Sequence, residues 1–357
     1  MKKILVIRVG VFLMLNTTLL KGQDIHFSQY NFSPLNLNPA LTSAYKNIQA
    51  TAHHKEQWRA VNAFRTSSVT FEMKANQQNW NQVKGSRGTF QKKLKKGLAF
   101  GITVFSDKAG EGNLKTTQGN LSIAYHALIN KQNTFSAGVM GGVAQRSITA
   151  DGLRWNSQYI NGTYSSAIVS GESFSNQSFT YGDFAAGVLW SYGDGSSYMT
   201  ANDHKHFNLG FSLAHLSKPN ISFLGSDKLN WKYTVHANSL IGIKNSKYSL
   251  APSFLYLKQG DLREFTSGLL IKCKFKEESK YTGFIKSTAI SLGCFYRFGD
   301  AAIPSLLIEM DKYSLGISYD ANISGFKNVT YGRGGIEISL RFNSPSPFLY
   351  QNTKKSF

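Results

Sequence analysis

The residues that could do chemistry are few and scattered. His53 and His54 are adjacent, and His204-Lys205-His206 puts two imidazoles on one face of an extended chain. A metal centre needs three or four converging ligands. Neither histidine pair has a cysteine or an acidic cluster beside it, so both read as loop or rim histidines. Nucleophile-elbow, phosphate-loop, zinc-protease and paired-carboxylate patterns are all absent. No catalytic residue, metal ligand or cofactor-binding residue is therefore assigned, and no cofactor is implied. Gly141-Gly142 reads as a place where a strand bends or accepts a packed segment, not as a phosphate cradle. The densest basic run, Lys84, Arg87, Lys92, Lys93, Lys95 and Lys96, reads as a solvated turn. Its functional alternative is a contact with acidic head groups or a partner subunit.

Composition narrows what could position such residues. Lys plus Arg is 40 against 20 Asp plus Glu, a formal +20, yet charged residues make up only 17% of 357. With 13% aromatics, 32 glycines and two cysteines, collagen, coiled-coil and disulfide scaffolds are excluded, and charge-driven disorder is disfavoured. Residues 1–22 read as a signal peptide: Lys2, Lys3 and Arg8 precede the apolar core Val9 to Leu15, with Gly22 before the expected cleavage. Four positive charges and no acid in that leader leave +16 on the mature chain. Export weakens any nucleic-acid reading of the charge. Beyond the leader, no stretch nears the roughly 20 apolar residues of a spanning helix.

Alternation with period two dominates the rest. Val69, Phe71 and Met73 alternate with polar neighbours, as do Leu121 to Ile129, Phe207 to Leu213, Tyr313 to Tyr319 and Ile336 to Phe342. Several such segments run for about 9–11 residues, enough to cross a bilayer at a tilt. Their polar faces are rich in Gly, Ser, Asn and Thr, and many apolar faces start or end in an aromatic residue. Examples are Trp190, Trp231, Tyr233, Tyr256, Tyr296, Phe298, Tyr313 and Tyr319. Such ends match interfacial girdles. The fold class expected is all-β: an antiparallel outer-membrane β-barrel of about 14 strands, preceded by a non-strand segment. A soluble sandwich with one wet face is the competing reading.

The strands fall near 47–55, 65–74, 97–107, 115–130, 133–146, 182–192, 206–215, 230–243, 247–257, 262–275, 286–298, 304–310, 312–321 and 333–342. Barrel regularities place both chain ends in the periplasm, with short turns there at 131–132, 244–246 and Asp311. The long connection 147–181, rich in Ser, Asn, Gly and Tyr, then faces outward. Cys273 and Cys294 share the apolar parity of neighbouring strands. They read as small lipid-facing residues, and an oxidising compartment would permit a disulfide between them. The domain reading is 1–22 signal peptide, 23–46 periplasmic or plug segment, 47–342 barrel and 343–357 tail.

The segment after the leader carries a signature. It contains Gln23-Asp24, Phe27-Ser28-Gln29-Tyr30, Phe32-Ser33-Pro34-Leu35 and Asn38-Pro39-Ala40. Further motifs follow in order: Gln57-Trp58 with Arg65 to Ser68, Gly101 to Asp107 with Gly110, and Asp183-Phe184 with Ala186-Gly187. Leu213 to Leu216, Pro252 to Phe254, Gly316 to Asp320 and Glu337 to Phe342 complete the set. In this order they resemble the PorP/SprF family of outer-membrane proteins of Bacteroidota, across about 23–342. The chain departs from the family pattern at Ile25, where a proline is expected, and at Leu41-Thr42-Ser43.

The resemblance implies a non-enzymatic barrel of the type IX secretion and gliding system. Such a barrel anchors a secreted, adhesin-like surface protein through the cargo's C-terminal targeting domain. The implied partners are that cargo, other secretion components and outer-membrane lipid. The alternative is an outer-membrane channel for small hydrophobic or nutrient molecules. An enzyme would need a nucleophile and base that the sequence does not offer. Phe27, Tyr30, Asn38 and Pro39 are expected to fix the N-terminal segment in place. Trp155, Tyr159 and Tyr164 in the long outer loop are the expected cargo contacts.

Overall fold

A computed structural model describes residues 26–58, 64–75, 97–110, 112, 114–130, 132–149, 153–171, 178–194, 202–223, 225–276, 287–325 and 332–344. Period-two segments become strands because each can turn one face to lipid and one to the interior. They are β1 (Ile48–Gln57), β2 (Phe64–Lys74), β3 (Gly97–Ala109), β4 (Leu114–Leu128) and β5 (Asn133–Ser147). A small hairpin follows, β6 (Tyr159–Ile160) and β7 (Thr163–Tyr164). The wall resumes with β8 (Ser178–Asp194), β9 (Lys205–Ala214), β10 (Lys232–Gly242), β11 (Tyr248–Gln259) and β12 (Leu262–Lys276). It ends with β13 (Thr288–Arg297), β14 (Ala301–Met310), β15 (Tyr313–Asn322) and β16 (Gly335–Asn343).

All strands except β6 and β7 form one closed antiparallel barrel of 14, sealed where β1 pairs with β16 from Gln49↔Asn343 to Gln57↔Gly335. Each strand expected from sequence is present, with ends shifted by a few residues. The ladder lapses between Asn238↔Ser253 and Ile241↔Leu250, and between Ala302↔Ala321 and Ser305↔Ser318. Pro252 and Pro304, which have no N–H to donate, lie in these gaps.

The barrel is polar inside and apolar outside. Val69 is 60% exposed and Leu121 65%, whereas Ser68, Thr70, Ser122 and Glu72 on the opposite faces are buried. This is the reverse of a soluble sandwich and removes that reading. The aromatic ends form two girdles. Trp190, Tyr248 and Tyr313 lie outward near the mouth where β1 begins and β16 ends (the near mouth). Trp231, Tyr296, Phe298 and Tyr319 lie outward near the opposite, far mouth.

The reading of Cys273 and Cys294 as unpaired holds, and one alternative for Gly141-Gly142 is corrected. Cys273 pairs in register with Ile290 and Cys294 with Leu269, so the cysteines are offset by four positions and are both free. That offset is about 14 Å along the strand, twice what a disulfide spans. Gly141 and Gly142 do not receive a packed segment: a side chain at either would meet Phe184 or Asn120 within the wall. The basic run from Lys84 to Lys96 and the tail from 345 on lie outside the described residues.

Candidate functional site

The lumen is occupied by the chain's own N-terminal segment. Residues 30–32, 34–37 and 39–41 form three short helical turns in succession. Ser33-Pro34 and Asn38-Pro39 set these turns, since proline suits a first helical position. The Asn38 side chain caps the third by accepting from the Ala40 N–H at 2.9 Å.

At the far mouth the segment begins against the closing seam. The Glu337 carboxylate on β16 accepts the Ser28 and Gln29 backbone N–H groups at 2.7 and 3.0 Å. Ser28 Oγ donates to Asp320 at 2.8 Å and accepts from Arg297 at 2.8 Å and Lys55 at 3.0 Å. Lys55 and Arg297 both lie 3.3 Å from Asp320, so this buried cluster of opposite charges is paired internally. Gln29 bridges Ser318 and Ser339. The Phe27 ring packs on His53 at 4.9 Å. Residues 27–29 therefore hold β1, β15 and β16 together from inside.

Still toward the far mouth, Tyr30 enters an apolar pocket of Leu255, Leu257, Phe295, Ala301 and Ile303, with its ring 5.9 Å from that of Phe295. Arg341 stacks over Phe32 at 4.1 Å and donates to the Asn31 carbonyl at 2.8 Å. Asn38 is wholly buried; it donates to the Val188 and Phe211 carbonyls at 3.0 and 3.3 Å and approaches His236 at 3.2 Å. Glycines make room for it. A Cβ at Gly138 would stand 2.5 Å from the Pro39 carbonyl oxygen, and one at Gly187 would collide with the Asn38 amide. Near the other mouth, His126 donates to the Thr42 carbonyl at 2.9 Å, and Glu72 accepts the Ser43 N–H. The segment then joins β1.

The path is diagonal and complete. The segment starts beside Lys55 and Glu264, at the far ends of β1 and β12, and finishes beside Glu72 and His126 at the near mouth. The expectation that both chain ends lie at one mouth concerns residues outside those described. The last strand ends at the near mouth, but the first described residue lies at the far one.

Phe27, Tyr30, Asn38 and Pro39 are all buried in the lumen and belong to this one arrangement. Of their partners, Glu337 was named only within the closing motif, and Glu72, Leu255 and Phe295 were not singled out from the sequence. A signal was there for Leu255: 254–257 reads Phe-Leu-Tyr-Leu, apolar on both faces, as a strand covered on both sides must be.

The far-mouth loop holds the other candidates. Asn161 and Gly162 take positive φ of 52° and 78° to close the β6–β7 hairpin, as a two-residue turn requires. Tyr159 is 43% exposed and its ring is 5.6 Å from Tyr164. Trp155 and Tyr164 are only half-buried at most on one side, with Arg154 over the Tyr164 ring at 4.9 Å. Ile160 and Val169, not expected as contacts, are more exposed than any of the three.

The histidines separate. His53 faces the lumen 3.7 Å from Glu337, while His54 faces outward and bonds Ser67 at 2.9 Å, so they cannot share a ligand. The expectation of rim histidines is corrected for His53. His204 and His206 have ring centroids 5.7 Å apart. Burial lowers the His204 imidazole to about 4, with Lys274, His206 and Lys272 adding to the shift. Among the described residues no three metal-ligating side chains converge.

A closed barrel with an apolar outer belt and a filled polar lumen defines an outer-membrane protein. Residues 19–342 match the type IX secretion system membrane protein PorP/SprF family, and the chain belongs to that family. Membership implies association with other components of the secretion system. No curated protein matches the sequence. Similar solved structures include BamA from Haemophilus ducreyi lacking POTRA domains 1–3, at 11% identity and TM-score 0.37, covering 83% of this chain and 70% of that one. The translocator domain of the autotransporter NalP from Neisseria meningitidis aligns at 9% identity and TM-score 0.32, covering 88% of this chain and 96% of that one.

Proposed function

We propose that the protein is a non-enzymatic anchor, which retains a secreted, adhesin-like protein at the cell surface through the cargo's C-terminal targeting domain. The observation that carries this reading is the filled lumen. The N-terminal segment meets side chains around the wall from one mouth to the other, which leaves the rims and loops, not a pore, for function. The far-mouth hairpin, with Tyr159 and Ile160 exposed, is the cargo contact in this proposal, and Trp155 and Tyr164 buttress it. A signal peptide over 1–22 delivers the chain to the outer membrane, and a gliding role follows if the cargo is a motility adhesin.

The test is a tagged pull-down from mild-detergent outer membranes, with crosslinking and mass spectrometry. A large secreted protein with its C-terminal domain attached supports the anchor. A bare barrel after crosslinking, together with conductance in planar bilayers, overturns it in favour of the channel.

A further inference from the structure

The two rims of the barrel differ in outward charge. On the far rim, Arg65 of β2 stands opposite Lys108 of β3, and Lys108 stands opposite Lys115 of β4. All three share the parity of the lipid-facing residues on their strands, Val69, Val104 and Leu121. Lys108 and Lys115 are exposed, and the Arg65 side chain is 53% exposed. Like charges directly opposite one another work against a sheet. Glu56 offsets part of this by bonding Arg65 Nε at 3.0 Å. Among the described residues no acid pairs with Lys108 or Lys115. A second row repeats the pattern: Lys258 of β11 stands opposite Arg263 of β12, and Tyr233 of β10 stands opposite Lys258. Beside it Lys218 stacks on Trp231 at 4.2 Å.

The near rim is built otherwise. There, on the strands, outward Lys205 stands opposite Asp194, an opposite-charge pair beside Trp190, while Lys46, Lys244 and Lys247 are exposed in the connections and stand in no outward like-charge row across strands. An anion between the far-rim cations would relieve the repulsion that the register imposes. That anion must also suit a surface whose next residues inward are Val104, Ile102 and Leu121, all exposed and apolar. A head group attached to acyl chains meets both conditions, and a soluble acidic peptide meets only the first.

We propose that Arg65, Lys108 and Lys115 form a binding site for the phosphorylated head group of a lipid in the leaflet at the far mouth. The site lies on the outer wall, apart from the lumen; the turn between Lys108 and Lys115 meets the base of the hairpin loop, where Gly112 accepts from the Thr149 N–H at 3.0 Å.

The test uses the purified full chain, with native mass spectrometry of bound lipid. The probes are lipid A, a diphosphorylated glycolipid, and the same lipid with its phosphates removed. Wild type is expected to prefer the phosphorylated form. K108Q/K115Q should bind it about thirtyfold more weakly, two cations having been lost. K205Q at the near rim should bind as wild type does. Heat-modified gel mobility confirms that each variant is folded. Equal binding of both lipids by wild type, full displacement by inorganic phosphate, or unchanged binding by K108Q/K115Q overturns the site. No cargo enters the assay, so its failure is distinct from failure of the anchor reading.

Discussion

Asn38 and Gly138 seat the same turn of the segment through separate contacts. The amide bonds strand carbonyls on β8 and β9, and the glycine yields the space that the Pro39 backbone occupies. Asn38→Ala leaves buried groups unpaired and should cost about 1–3 kcal/mol. Gly138→Ala forces a methyl group against backbone and should cost a similar amount, about 1–3 kcal/mol. Urea unfolding from lipid vesicles measures both. Neither residue could be matched to its partners from sequence, because Asn38 bonds positions 150 and 173 away and no local period relates Gly138 to Pro39. The disulfide question was open for the same reason. Parity placed Cys273 and Cys294 on one face, but only the register shows their offset. Their gel mobility should be identical with and without reductant.

The strands were legible as elements because period two over a bilayer-spanning length has few other uses. The N-terminal segment was legible only as something other than a strand. Its turns follow from Pro34 and Pro39, but its route depends on partners spread over the whole wall. Deleting 23–40 behind the signal should reduce cargo retention more than expression, and should raise conductance in planar bilayers. Retention and closed-state conductance both at wild-type level would sink the role given to the segment. The far-mouth loop was legible by length and composition, yet among its described residues the most exposed apolar ones are Ile160 and Val169. Replacing Tyr159 and Ile160 together with Asp should leave the folded gel mobility unchanged and lower cargo capture.

For the whole molecule, the inverted polarity decides the environment. The outward residues Val69, Ile102, Leu121, Val139 and Val143 form a belt that water would not tolerate but lipid does. Leu121 lies mid-strand in β4, so Leu121→Arg should cost about 2–4 kcal/mol on insertion into vesicles. An arginine at outward positions nearer the rims should cost less.

The direction of the N-terminal segment has a consequence for how the molecule comes to be made. The wall starts and finishes at one rim, while the residues preceding it stand at the other. The chain is a bead on its own string. In the native state its described start, His26, lies a full wall's height from the rim at which β1 begins. Lys55 in the first strand and Glu337 in the last both hold Ser28, so the seating of the string and the closing of the bead draw on the same side chains.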